Sequence, residues 1–199
     1  MKIIGLCGTS GSGKGMAGRF FSAFGCRVID TDKLYHGMIE SDSECSREII
    51  SEFGETVKNE AGGVERKKLS QIVFSDKERL KDLNRIAHKY VKLVCLEIAE
   101  RERRSGAEIL IIDAPQLFEA GMQEDCDATV AVIAERKTRI ERICNRDRIS
   151  AERAIARIEA QHTDEFFAEH CDYVIENNSD AAHLLARVRN VLDKIKGMN

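Results

Sequence analysis

Gly8-Thr-Ser-Gly-Ser-Gly-Lys-Gly15 decides the reading of this 199-residue chain. The stretch follows a short apolar run, Lys2-Ile-Ile-Gly-Leu-Cys7, with the composition of a strand. After it come Ala17, Phe20, Phe21 and Phe24, spaced to share one helix face, until Gly25 stops the pattern. Strand, glycine loop, lysine and helix in that order match G-x-x-x-x-G-K. Glycines let successive backbone N–H groups turn inward as an anion nest. The helix behind them adds unpaired donors and the positive end of its dipole. Lys14 then reaches the terminal phosphates as a point charge. Gly8, Gly11, Ser12, Gly13, Lys14, Gly15 and Met16 are therefore the candidate phosphate-binding residues. A glycine-rich connection with no ligand is the bland alternative, and the lysine in register between strand and helix argues against it.

Outward from the loop, Cys26-Arg-Val-Ile-Asp30 reads as a second buried strand, so the sheet is expected to be parallel with right-handed crossovers. Residues 33–105 carry helical patterns and few strand signals. Glu48–Phe53 ends at Gly54, Arg66–Phe74 is a short amphipathic helix, and Asp76 to Arg104 fits one long helix or two. Glu108–Asp113 is apolar on both faces and so expected to be central. Ala128–Ile133 and Tyr173–Glu176 are a fourth and a fifth strand, with a charged helical pair over 136–167 between them. Leu184, Leu185, Val188, Val191, Leu192 and Ile195 mark a last helix that packs on the sheet. The expected fold is α/β: a three-layer core with a five-stranded parallel sheet, a helical substrate-binding insertion and a helical lid. In residue terms this is a single domain over 1–199, with the core in 1–32, 106–135 and 171–199, the insertion in 33–105 and the lid in 136–170.

Composition narrows the class. The formal net charge is −3 with 33% charged residues of mixed sign, which gives no electrostatic footprint for nucleic acid or a membrane surface. The apolar start is too short for a signal-peptide core, and no stretch approaches a membrane span. The 7 cysteines are scattered and odd in number, as expected for reduced thiols used as small hydrophobes in a cytoplasmic protein. A monomer or weak homo-oligomer is expected.

The loop departs from its pattern at one place. Where Ser or Thr would hold Mg²⁺, this chain has Gly15 and then Met16. The ion would then be held by nucleotide, water and remote carboxylates. Three aspartates follow strands, where parallel sheets bind ligands. Asp30 reads as a cap entering the next helix, and Asp32 as the base or orienting group for an acceptor hydroxyl. Asp113 is either a turn residue or a water-mediated Mg²⁺ ligand. Arg136, Lys137, Arg139, Arg142, Arg146, Arg148, Arg153 and Arg157 crowd one region. Most read as a solvated surface laced with pairs such as Glu135 and Arg139. Arg142, Arg146 and Arg157 are the candidates for stabilising charge on a transferred phosphoryl group. His36, His88, His162, His170 and His183 show no metal-ligand spacing.

From Ile4 to Asn178 the chain resembles the dephospho-CoA kinases. Gly5-Leu-Cys-Gly-Thr-Ser-Gly-Ser-Gly-Lys14 looks like that family's glycine loop, and Val28-Ile-Asp-Thr-Asp32 with His36 like its V-I-D-A-D and following histidine. The middle section is similar in Phe53-Gly54, Val57, Gly63-Val-Glu-Arg66, Leu69, Val73-Phe74, Asp76 and Leu83-Asn-Arg-Ile-Ala-His88. Asp113-Ala-Pro-Gln-Leu-Phe-Glu119 looks like D-x-P-L-L-F-E. Arg142, Arg146, Ala154, Arg157-Ile158 and Gln161 keep the lid spacing, and Asp172-Tyr-Val-Ile-Glu-Asn177 looks like the final strand. The resemblance implies a nucleoside monophosphate kinase-like fold, ATP and Mg²⁺ as cofactors, and transfer to the ribose 3′-hydroxyl of dephospho-CoA. It implies Asp32 as base, Lys14 as phosphate clamp, Arg142 and Arg146 as lid clamps, and Asp32, His36, Arg66, Asn84 and His88 near the acceptor. Gly15-Met16, Lys89, Gln116 and Glu65 depart from the family's Ser-Thr, proline, leucine and aspartate. Adenylate-kinase-like enzymes share the glycine. A kinase of the same fold for another nucleotide and a non-catalytic nucleotide-binding regulator are the alternatives.

Overall fold

The computed structural model describes residues 1–198. The strands β1 (Lys2–Gly8), β2 (Arg27–Asp30), β3 (Ile109–Asp113), β4 (Ala128–Ile133) and β5 (Tyr173–Glu176) form one parallel sheet in the order β2-β3-β1-β4-β5. Leu6 stands opposite Asp113 on one side and Val130 on the other, so β1 and β3 end at the same rim. β3 is buried along its whole length, as its unbroken apolar run requires. β2 is an edge strand with Arg27 exposed and only Ile29 buried, which corrects the expectation of a second fully buried strand. Its side chains lack a second neighbour to cover them.

Two compact units divide the chain. The first comprises residues 1–29 and 101–199 and contains most of the sheet. Helices α1 (Lys14–Ala23) and α9 (Ala181–Lys196) pack on one sheet face, where Ile4, Leu6, Phe21, Val130, Val188 and Ile195 are buried together. Helix α8 (Asp164–His170) packs on β4 and β5. The expected helical pair over 136–167 is corrected to α6 (Arg136–Asp147), α7 (Ala151–Glu159) and α8. Ser150 and Thr163 cap the second and third by accepting from the N–H groups of Arg153 and Phe166. Ile143, Ala154 and Ile158 give α6 and α7 a small core of their own.

The second unit comprises residues 30–100. Helix α2 (Thr31–Glu40) starts on Asp30, whose carboxylate accepts from Lys33 N–H at 3.0 Å. The cap reading of Asp30 is thus the observed one. Helix α3 (Glu44–Phe53) begins with a Ser43–Ser46 capping box. Helices α4 (Arg66–Val73) and α5 (Lys77–Arg104) follow, the latter continuous over 28 residues. Ile39, Ile49, Phe53, Val57, Leu69 and Ile86 are the core of this unit. Among the described residues, no helix is long and apolar enough to cross a membrane. All 7 cysteines are free, with Cys7, Cys26, Cys45 and Cys95 buried.

Candidate active site

The glycine loop joins β1 to α1, and its backbone explains its composition. Gly8, Gly11 and Gly13 have φ of 139°, 81° and 95°, where a side chain is strained. Close neighbours add to this: a Cβ at Gly8 would lie 2.1 Å from Val132 O, and one at Gly13 would lie 2.3 Å from Asn177 Nδ2. Gly13 is also the N-cap of α1, and no side chain caps that helix. With no acidic residue in the first turn either, the N-terminal donors are left for an anion. Lys14 Nζ is ion-paired with Asp113 Oδ1 at the end of β3, and both side chains are largely buried.

Residues from the far end of the chain hold the loop from outside. Asn177, just past β5, donates from Nδ2 to Ser12 O at 2.7 Å. Gln161, between α7 and α8, accepts from Ser10 N–H at 2.8 Å. Thr9 Oγ1 donates to Asp164 at 3.4 Å, and Arg139 Nη1 donates to the same carboxylate oxygen at 3.3 Å. Burial pushes the Asp164 carboxyl up, with Arg139 opposing. Arg139 is itself buried at 6% exposure, so its reading as half of a solvated pair with Glu135 is corrected. A charged helix pattern shows which turn a residue occupies and not what later packs over it.

Arg142 Nη1 points at main-chain oxygens: Asn177 O at 3.0 Å, and Gly11 O and Ser12 O at 3.4 Å each. Arg146 and Arg157 share Asp147, with Arg146 Nε at 2.7 Å and Arg157 Nη1 in contact. Arg146 first, then Arg157, hold the Asp147 carboxyl well below the usual range. Two of the three candidate arginines thus meet on one carboxylate, and the third braces the loop.

In the helical unit, Asp32 and His36 lie one turn apart on α2, with Asp32 exposed. Arg66 opens α4 and is exposed, close enough to Tyr35 for its charge to oppose the strong upward push of burial on that phenol. Asn84 and His88 are half-buried and four residues apart on α5. Lys89, the position where the resemblance expects proline, donates to Glu48 at 2.6 Å beside the Tyr90 hydroxyl at 2.7 Å.

Residues 2–183 match the dephospho-CoA kinase family. The chain belongs to that family. A dephospho-CoA kinase of Fusobacterium nucleatum is 36% identical over 97% of this chain and 98% of its own length. A crystal structure of a Thermus thermophilus protein superposes with a TM-score of 0.82 at 30% identity, covering 98% of both chains. A dephospho-CoA kinase from Campylobacter jejuni, at 23% identity, shares the fold with a TM-score of 0.72 over 97% of this chain and 96% of that one. Within this dephospho-CoA kinase family member, Gln161 and Asn177 lay in the quoted motifs but had no assigned role. A polar residue directly after a short strand, as Asn177 is after Tyr173–Glu176, is the sequence signal that marks it, and Asn177 is itself buried.

Proposed function

We propose that this protein phosphorylates the ribose 3′-hydroxyl of dephospho-CoA with ATP, yielding CoA and ADP, as the last step of CoA biosynthesis. The carrying observation is the phosphate cradle, an uncapped helix start with Lys14 beside it, on a chain of this family. The β- and γ-phosphates rest on the loop N–H groups of Gly11 to Met16, and Lys14 reaches them with its remaining donors while it stays paired with Asp113. Asp32 accepts the proton of the attacking hydroxyl. His36, Arg66, Asn84 and His88 hold the acceptor, and Arg142, Arg146 and Arg157 act in the lid. The division of labour follows: core 1–32, 106–135 and 171–199, acceptor region 33–105, and lid 136–170. The final residue of that core, Asn199, lies outside the described residues. The protein works in the cytoplasm as a monomer or weak homo-oligomer.

Mg²⁺ is the expected companion of the ATP phosphates. The loop does not fit it as a direct ligand: Gly15 and Met16 carry no hydroxyl, and Asp113 is engaged by Lys14. The chemistry here is therefore assigned to the chain's own groups, which position the reactants and stabilise charge.

Incubation with MgATP and dephospho-CoA, with AMP, CMP, GMP and pantetheine phosphate in parallel, tests the reading through ADP and CoA formation. Product with dephospho-CoA alone is the expected result. Product only with a nucleoside monophosphate would move the substrate, and saturable ATP binding without any product would make the protein a nucleotide-binding regulator.

A further inference from the structure

Gly15 stands where a phosphate-cradling loop carries the Ser or Thr hydroxyl that ligates Mg²⁺. Neither conformation nor packing calls for glycine there. Gly15 is absent from the residues with positive φ, unlike Gly11 and Gly13. A Cβ built on it meets no atom within 4 Å. The space a hydroxyl would fill is open, and no neighbour fills it.

No nearby group replaces the missing ligand. Met16 offers a thioether, a soft and weak acceptor unsuited to a hard cation. Thr9 Oγ1 is turned to Asp164, and Ser12 Oγ is completely buried, where an ion that keeps its waters does not reach. Asp113 holds Lys14. Among the described residues, no group of three or more His, Cys, Asp and Glu side chains could hold a metal ion.

We infer that this protein takes up its metal–nucleotide complex without a direct bond from protein to metal, the ion keeping a water where related loops supply a hydroxyl. This rests on the ATP reading of the loop. Mg²⁺ dehydrates reluctantly and is commonly held through phosphates and waters, so the arrangement is chemically ordinary for the ion. Its consequence is specific: the affinity of the protein for ATP depends little on Mg²⁺, and an ion with fixed waters is as acceptable as a labile one.

Isothermal titration of the whole protein tests this with three probes: ATP in EDTA, MgATP, and the exchange-inert Cr(III)·ATP complex, whose waters do not leave. The three dissociation constants are expected to agree within about threefold. In Gly15→Ser, which the open space accommodates, MgATP should bind about tenfold tighter than free ATP, while Cr(III)·ATP gains nothing because its water cannot be displaced. A wild-type preference for MgATP of about tenfold or more, not reproduced by the inert complex, would overturn the inference and leave the ATP reading intact. Failure to bind ATP in any form would remove the ATP reading, and the inference with it.

Discussion

At the scale of single residues, the geometry of the glycine loop was legible because its signals are local. Glycines at positive φ, a lysine one residue past the last of them and a helix start all lie within one short stretch. Two outcomes follow. Asp32→Asn should lower kcat by about 10²–10⁴-fold with ATP affinity nearly unchanged, as loss of a positioned base does; unaltered turnover in a coupled ADP assay would remove Asp32 from that role. Lys14→Ala should abolish productive ATP binding, read by titration, and wild-type affinity would sink the cradle assignment. Arg139 was not legible, since its burial depends on α8 arriving from 25 residues further on. Breaking its pair with Asp164 removes the buried cation from a half-buried carboxylate that keeps only the long Thr9 hydroxyl contact. Arg139→Met should therefore cost about 2–4 kcal/mol in denaturant unfolding, and adding Asp164→Leu should recover part of the loss. Equal stability in the single and double variants would show that the pair is not what holds α6 and α8 together.

At the scale of elements, the five strands were written in apolar runs, and most boundaries fall within a residue or two of where the pattern put them, while the sheet order β2-β3-β1-β4-β5 and the Ser43-capped start of α3 at Glu44 were not read from it. The misses share a cause. The 136–167 region holds three helices because Thr163 restarts the chain after a loop, a short signal lost among charges. The Lys89–Glu48–Tyr90 tie joins α3 to α5 across 41 residues, and no local pattern encodes such a distance. Burial within the helical unit makes a further prediction. It pushes the Cys45 thiol up to about 11 and the Cys95 thiol up to about 12, from 9.0. The folded state thus keeps both thiols neutral where the unfolded chain would ionise them. Their contribution is complete below pH 9.0 and is lost as pH rises through 11 to 12. Denaturant titrations should show stability falling across that window, less steeply in Cys45→Ala; identical slopes would exclude the Cys45 thiol as a cause.

At the scale of the whole molecule, the chain is cut into two units whose candidate residues differ in chemistry. The sheet-bearing unit holds the glycine loop, Lys14, Asp113, Gln161 and Asn177, a set of main-chain donors and one cation suited to a polyphosphate. The helical unit holds Asp32, His36, Arg66, Asn84 and His88, mixed donors and acceptors on helices with a core of their own. Each set is anchored by separate packing, so each ligand should leave its own footprint. Amide hydrogen exchange with a non-hydrolysable ATP analogue should slow in residues 8–16 and around Gln161 and Asn177. Dephospho-CoA alone should slow exchange in α2, the start of α4 and residues 84–88. Buried core amides such as those of Ile49 and Ile86 already exchange slowly through global opening and report only overall stabilisation, so the contrast lies in the exposed first turns. If the ATP analogue protected residues 84–88 and left the glycine loop unchanged, the assignment of donor and acceptor to separate units would be wrong, even with catalysis intact.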